Sequence, residues 1–148
     1  ERWKALIIGD GPARGELEGI ARRIKVEKRV HFTRYIPYPK LPPFYRAGDV
    51  LALPSTYEGL PKVVLEALVS GTPVVASGFK VEDPLLAESI RWLAGDLSAG
   101  VLAAAVEEAV RVPALDLDGL RATQSWAHRA SNIEGIYDFI LGQRNPEE

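Results

Sequence analysis

At 148 residues the chain has the size of one ordinary domain, and 47% apolar against 26% charged residues is the balance of a globular fold with a sizeable core. A net charge of −2, with Lys and Arg scattered along the chain, is not the basic face or stripe of a nucleic-acid binder. No cysteine is present for disulfide, thiolate or metal chemistry, the two histidines (His31 and His128) lie far apart, and no apolar run approaches the roughly 20 residues that cross a bilayer.

Strand-like and helix-like segments alternate from the first residues onward. Lys4–Ile8 is a short apolar run, stopped by the turn signal Gly9-Asp10-Gly11-Pro12. Ala13–Val26 carries Leu17, Ile20, Ala21 and Ile24 at helical spacing, with Arg22, Arg23 and Lys25 as its solvated charged face. Arg29–Phe32 reads as the second strand. The proline-rich stretch Ile36–Pro43 is expected to be a loop leading to a short helix near Phe44–Ala47. Asp49–Leu53 is the third strand, and a helix from about Pro61 to Ser70 follows, closed by Gly71. Pro73–Ser77 is a fourth strand, Ser89–Leu93 a weaker fifth, and Val101–Val110 a helix. Leu117–Leu141 reads as one or two terminal helices carrying Trp126, Ile133, Ile136, Tyr137 and Ile140, followed by a frayed tail over 143–148.

Apolar strands alternating with helices imply an α/β, Rossmann-like fold, a mainly parallel sheet covered on both faces, over residues 1–142. Ligands in such sheets bind outside the carboxyl ends of the strands. That rule selects three loops: Gly9 to Pro12, Thr33 to Pro37, and Pro54 to Leu60.

The most informative stretch runs from Ser55 to Ala67. Pro61 suits the first helical position, where its missing N–H costs nothing. The amides of Lys62, Val63 and Val64 would then be unpaired at the positive end of the helix dipole, an anion site suited to a diphosphate. Gly59 lets a ligand approach the backbone closely. Glu66 sits in Val63–Val69, a segment apolar all round, where a lone carboxylate needs hydrogen-bond donors. It either accepts from ligand hydroxyls or is satisfied by its own helix dipole or a neighbouring hydroxyl. Glu58, just before the helix, is explained as well by the dipole as by a ligand. Gly9-x-Gly11-x-x-Arg14 lacks the third glycine of the dinucleotide fingerprint, so it is a strand-to-helix turn as readily as a ligand loop. His31 reads as a sheet residue, and Tyr57 and Trp92 as packing residues.

Glu58-x7-Glu66, set in Pro54-Ser-x-x-Glu58-Gly59-Leu60-Pro61-x-Val63-Val64-Leu65-Glu66-Ala67 and followed by Gly71-Thr72-Pro73-Val74-Val75-Ala76, resembles the C-terminal domain of glycosyltransferase family 4. Leu6–Pro12, Arg29–Phe32 and Tyr45–Val50 agree with it, and Trp126–Ile140 resembles the family's closing helix. The resemblance implies one half of a GT-B architecture and a retaining enzyme that moves a sugar from a nucleotide diphosphate donor. Glu66 would accept the ribose hydroxyls. Glu58 would be the catalytic residue, holding donor-sugar hydroxyls with the backbone of Gly59, Leu60 and Pro61. The amides of Lys62 and Val63 would hold the diphosphate, the loop of Thr33, Arg34 and Tyr35 would frame the base, and Gly9 and Gly11 would line the same cleft. No metal or other cofactor is implied, because helix amides and basic side chains neutralise the leaving group.

The chain departs from that pattern in four places. It opens, without Met or visible signal peptide, at what would be the family's second strand, so the first strand and helix with their phosphate-gripping Arg and Lys are absent. The N-terminal domain, which would bind an acceptor sugar or lipid, is absent too. Arg34 stands where the family often has glycine, and Gly78-Phe79-Lys80-Val81 replaces a glycine-rich loop after the fourth strand. The expectation is therefore a donor-binding fragment of a cytoplasmic enzyme, inactive alone, whose parent docks at a membrane if its acceptor is a lipid. The rivals are a scaffold domain that has kept the fold without the ligand, with Glu66 paired internally, and a nucleotide-sugar epimerase.

Overall fold

The computed structural model describes residues 3–95, 97–111, 116–125, 127–128, 130–131 and 133–134. It divides into two compact units, Glu1–Leu41 and Pro42–Glu148. Residues 126, 136, 137 and 140 of the expected terminal helices, and the tail over 143–148, lie outside the described residues.

The first unit holds β1 (Ala5–Ile8), α1 (Arg14–Arg23), β2 (Val30–Thr33) and a 3₁₀ turn at Tyr38–Lys40. β1 and β2 pair in parallel, Ala5 opposite Val30 and Ile8 opposite Thr33, with α1 as the crossover. Apolar strands usually mean a sheet covered on both faces. Here all four residues of β1 are exposed, and Ala21 on α1 is the one buried hydrophobic among the unit's described residues. Two strands and one helix offer too little apolar surface to cover Leu6, Ile7 and Ile8. The charged face of α1 is as expected, with Arg22, Arg23 and Lys25 exposed.

α1 stops short of the expected Val26 because Lys25 turns into the left-handed region at φ 58°. The Lys25 amide donates to the Arg22 carbonyl at 3.0 Å and the Val26 amide to Ala21 at 2.9 Å, the closing pattern in which glycine usually occupies the left-handed position. A side chain there costs about 1–2 kcal/mol. Lys25→Gly is expected to raise stability by about 0.5–1 kcal/mol, the relief of strain less the extra freedom glycine gives the unfolded chain. A higher urea midpoint at an unchanged slope would be the sign, and a lower midpoint would refute it.

The second unit holds α2 (Pro42–Ala47), β3 (Leu51–Pro54), α3 (Lys62–Val69), β4 (Val74–Ser77), α4 (Pro84–Glu88), β5 (Ile90–Trp92), α5 (Ala99–Ala109) and α6 (Leu117–Thr123). β3, β4 and β5 form a parallel sheet with β4 in the centre. Every residue of β4 is buried, and its period of two divides them between two cores. Val74 and Ala76 join Val64, Ala67 and Leu68 of α3, Leu86, Ile90 and Leu120. Val75 faces the other way, onto Leu93 and Ala105 and Ala109 of α5. This sheet has helices on both faces, as its apolar strands require.

Two elements depart from the sequence reading. α2 begins at Pro42, inside the stretch expected to be loop, because Pro42 and Pro43 occupy a first turn whose amides need no partner. α4, which the apolar pattern did not reveal, is started by Asp83, whose carboxylate accepts from the Leu86 amide at 3.0 Å, with Pro84 at its first position.

Candidate functional site

The expected site residues fall in both units. In the first, Gly9 ends β1 with φ +141°, and a side chain there would meet open space. Gly11 is exposed. Arg14, the residue that breaks the dinucleotide fingerprint, ties this loop to the end of β2. Its guanidinium donates to the carbonyls of Thr33 at 2.7 Å, Phe32 at 3.3 Å and Gly9 at 3.5 Å, and to the Glu18 carboxylate at 2.9 Å. The Thr33 hydroxyl turns back to the Arg34 carbonyl at 2.9 Å. Arg34 and Tyr35 project into solvent, with Arg34 only loosely opposite Asp10 at 3.9 Å.

In the second unit, Pro61 is the N-cap of α3 and not its first helical residue, with an extended backbone at ψ 124°. Its carbonyl therefore accepts from the Val64 amide at 3.1 Å. Of the three amides expected to be unpaired, Val64 is thus satisfied. Lys62 and Val63 donate to nothing among the described residues. Two free amides at the positive end of α3 suffice for an anionic oxygen.

The loop before α3 is held to the end of β4. The Glu58 amide donates to the Gly78 carbonyl at 2.7 Å, and the Ser77 hydroxyl to the Ser55 carbonyl at 2.8 Å. The Ser55 hydroxyl donates in turn to the exposed Glu58 carboxylate at 3.0 Å. Gly78, the first residue of the stretch that replaces the family's glycine-rich loop, is the hinge of this arrangement. It has φ +87°, and an added Cβ would come within 2.5 Å of the Ser55 carbonyl oxygen. Nothing local in the sequence marks Ser77 or Gly78 as part of the site, because their contacts reach back across twenty residues or more.

α3 is less enclosed than its apolar sequence implies. Val64, Ala67 and Leu68 are buried, but Lys62 and Val63 are exposed and Glu66 is half-buried. One face of the helix meets the core and the other is left open, so the carboxylate is reachable. Its Oε2 accepts from the Tyr45 hydroxyl at 2.7 Å, a neighbouring hydroxyl of the kind anticipated as one possible partner. The packing reading holds for Trp92, whose ring meets Phe79 edge-on at 5.1 Å while its N–H donates to Ala87 at 3.0 Å. It fails for Tyr57, which is 89% exposed because its loop stands off the core. His31 lies exposed on β2. No three metal-ligating side chains converge among the described residues.

The model of the family "Glycosyl transferases group 1" matches residues 1–111. The chain belongs to that family. Among relatives of this group 1 chain, 2-deoxystreptamine glucosyltransferase of Streptomyces kanamyceticus is 32% identical over 146 residues, covering 93% of this chain and 38% of the relative. D-inositol 3-phosphate glycosyltransferase of Corynebacterium glutamicum (strain R) is 30% identical over 85% of this chain and 32% of its own length. Sucrose-phosphate synthase from Thermosynechococcus elongatus superposes with a TM-score of 0.73 at 25% identity, over 94% of this chain and 39% of that one. A glycosyltransferase involved in avilamycin A biosynthesis shares the fold, with a TM-score of 0.62 at 18% identity. The α/β fold with parallel sheets and the kinship to GT-B glycosyltransferases are as the motifs implied. This group 1 chain spans between 32% and 44% of the length of these relatives.

Proposed function

We propose that the chain is the donor-binding part of a retaining glycosyltransferase of family 4, which moves a sugar from a nucleotide diphosphate to an acceptor. The observation that carries this reading is the start of α3. Two unpaired amides, Lys62 and Val63, lie in sequence between a braced carboxylate, Glu58, and a half-buried one, Glu66. An anionic diphosphate fits the amides, and hydroxyls at either end of it fit the carboxylates. Glu66 takes the ribose, while Glu58 with Gly59, Leu60 and Pro61 takes the sugar and serves catalysis. Thr33, Arg34 and Tyr35 frame the base, and Gly9 and Gly11 line the cleft. The helix amides and Lys62 stabilise the leaving diphosphate, so the reaction runs without a metal or other cofactor.

Acceptor binding, to a sugar or a lipid, belongs to the remainder of a longer parent, and the chain alone turns nothing over. No described helix is long and apolar enough to cross a membrane. The parent is proposed to act in the cytoplasm, docked at the membrane surface when its acceptor is a lipid. A second reading, a scaffold domain without ligand, draws on the Tyr45–Glu66 hydrogen bond.

Calorimetric titration with UDP, GDP and ADP separates the two. One nucleotide is expected to bind, and Glu66→Ala to weaken it about tenfold or more, the scale of a lost hydrogen bond to a charged group. Failure of all three to bind would favour the scaffold.

A further inference from the structure

We propose that Tyr45 is a positioning residue that fixes the Glu66 carboxylate, and that it thereby sets the site's preference for ribose over 2′-deoxyribose nucleotides. The inference rests on the reading of Glu66 as the ribose acceptor.

The terminal torsion of a glutamate is broad, so an unheld carboxylate samples many orientations. Glu66 is half-buried on α3, beside the exposed Lys62 and Val63 one turn earlier, so its carboxylate is not enclosed by the core. The Tyr45 hydroxyl holds it, donating to Oε2 at 2.7 Å, the length of a charge-assisted bond. Tyr45 is itself held at its other end. Its carbonyl accepts from the Thr72 hydroxyl at 2.6 Å and from the Gly48 amide at 3.0 Å, and Thr72 is only 3% exposed. Between those ends the ring packs against the core that contains Val64, Ala67 and Leu68. Thus α2, the turn after α3, and α3 itself are joined through one tyrosine whose only polar side-chain atom lies on the carboxylate.

A carboxylate oxygen accepts more than one hydrogen bond, so this contact leaves Oε1 and part of Oε2 for a ligand. Ribose presents two adjacent hydroxyls, which a carboxylate held in one plane accepts together. A 2′-deoxyribose offers one, which a rotating carboxylate accepts almost as well. Removing the Tyr45 hydroxyl should therefore penalise the ribonucleotide and largely spare its deoxy counterpart.

The test is calorimetry of the 148-residue chain with UDP, GDP and ADP and with their 2′-deoxy counterparts, for the wild type, Tyr45→Phe, Glu66→Ala and the double variant. Tyr45→Phe keeps the ring and its packing. It is expected to weaken the ribonucleotide about three- to tenfold, as for one side chain that must now be ordered on binding, and to narrow the ribose-to-deoxyribose ratio accordingly. In the Glu66→Ala background it should change neither affinity. A lower melting temperature with an unchanged ratio would assign Tyr45 a structural role and overturn the inference, leaving Glu66 as the acceptor. If the wild type binds but does not discriminate, or if Glu66→Ala leaves affinity intact, the reading of Glu66 falls first and the inference with it. No binding at all overturns both.

Discussion

Gly78→Ala is expected to be among the most damaging single-methyl changes in the chain, destabilising the second unit by about 2–5 kcal/mol. Two effects add. At φ +87° an L side chain costs about 1–2 kcal/mol. The new Cβ would also lie 2.5 Å from the Ser55 carbonyl oxygen and 3.0 Å from the Thr56 carbonyl carbon, backbone atoms with no freedom to swing aside. Relieving such overpacking costs about another 1–3 kcal/mol. Gly95→Ala is the control. Gly95 has a similar φ of +71°, but a Cβ there would meet nothing within 4 Å, so only the strain is expected. Urea unfolding of the two variants isolates the contact as their difference, and equal losses would refute it. The same displacement would move Ser55 off the Ser77 hydroxyl and Glu58 off the Gly78 carbonyl. Gly78→Ala should therefore impair nucleotide binding even where the chain remains folded, which Gly95→Ala should not.

Amide exchange is expected to separate the two units by at least about 100-fold in protection, since local opening spans the range from near zero to the global stability. Among the described residues, Ala21 is the one buried hydrophobic in the first unit. Val64, Leu68, Val74, Val75, Leu86 and Leu120, all in the second, are less than 2% exposed, and each contributes about 1.5–3 kcal/mol of burial. Peptides covering β4 and α3 should exchange last. Those covering β1 and β2 should exchange early, because β1 is exposed throughout, β2 is only partly covered, and two strands are marginal in water. Deuterium uptake followed by mass spectrometry reads both in one experiment. Matched protection across Ala5–Thr33 and Lys62–Ser77 would show that the first unit draws stability from a source its own burial does not reveal.

The sequence by itself determined the class of the fold and the alternation of its strands and helices, apart from the short α4. Short apolar runs such as Val74–Ser77 and helical spacing such as Leu17, Ile20 and Ala21 depend only on near neighbours, and the structure places strand and helix there. Gly71 was legible for the same reason: at φ +87° it ends α3, with the Thr72 amide returning to the Ala67 carbonyl at 2.9 Å. The start of α3 was legible to within one residue, since a proline near a helix start is a local signal. Boundaries were less so, as the early end of α1 at Lys25 and the start of α2 at Pro42 illustrate.

What only the tertiary structure decided is which groups are held and by what. Tyr45 meets Glu66 across 21 residues, and Ser77 meets Ser55 across 22, distances over which no periodicity carries information. Burial was likewise a matter of how many elements assemble on each sheet. Leu6, Ile7 and Ile8 are as apolar as Val74, Val75 and Ala76, yet β1 is exposed and β4 is enclosed. A strand's composition states what it can bury, and only the neighbours that the fold supplies decide whether it does.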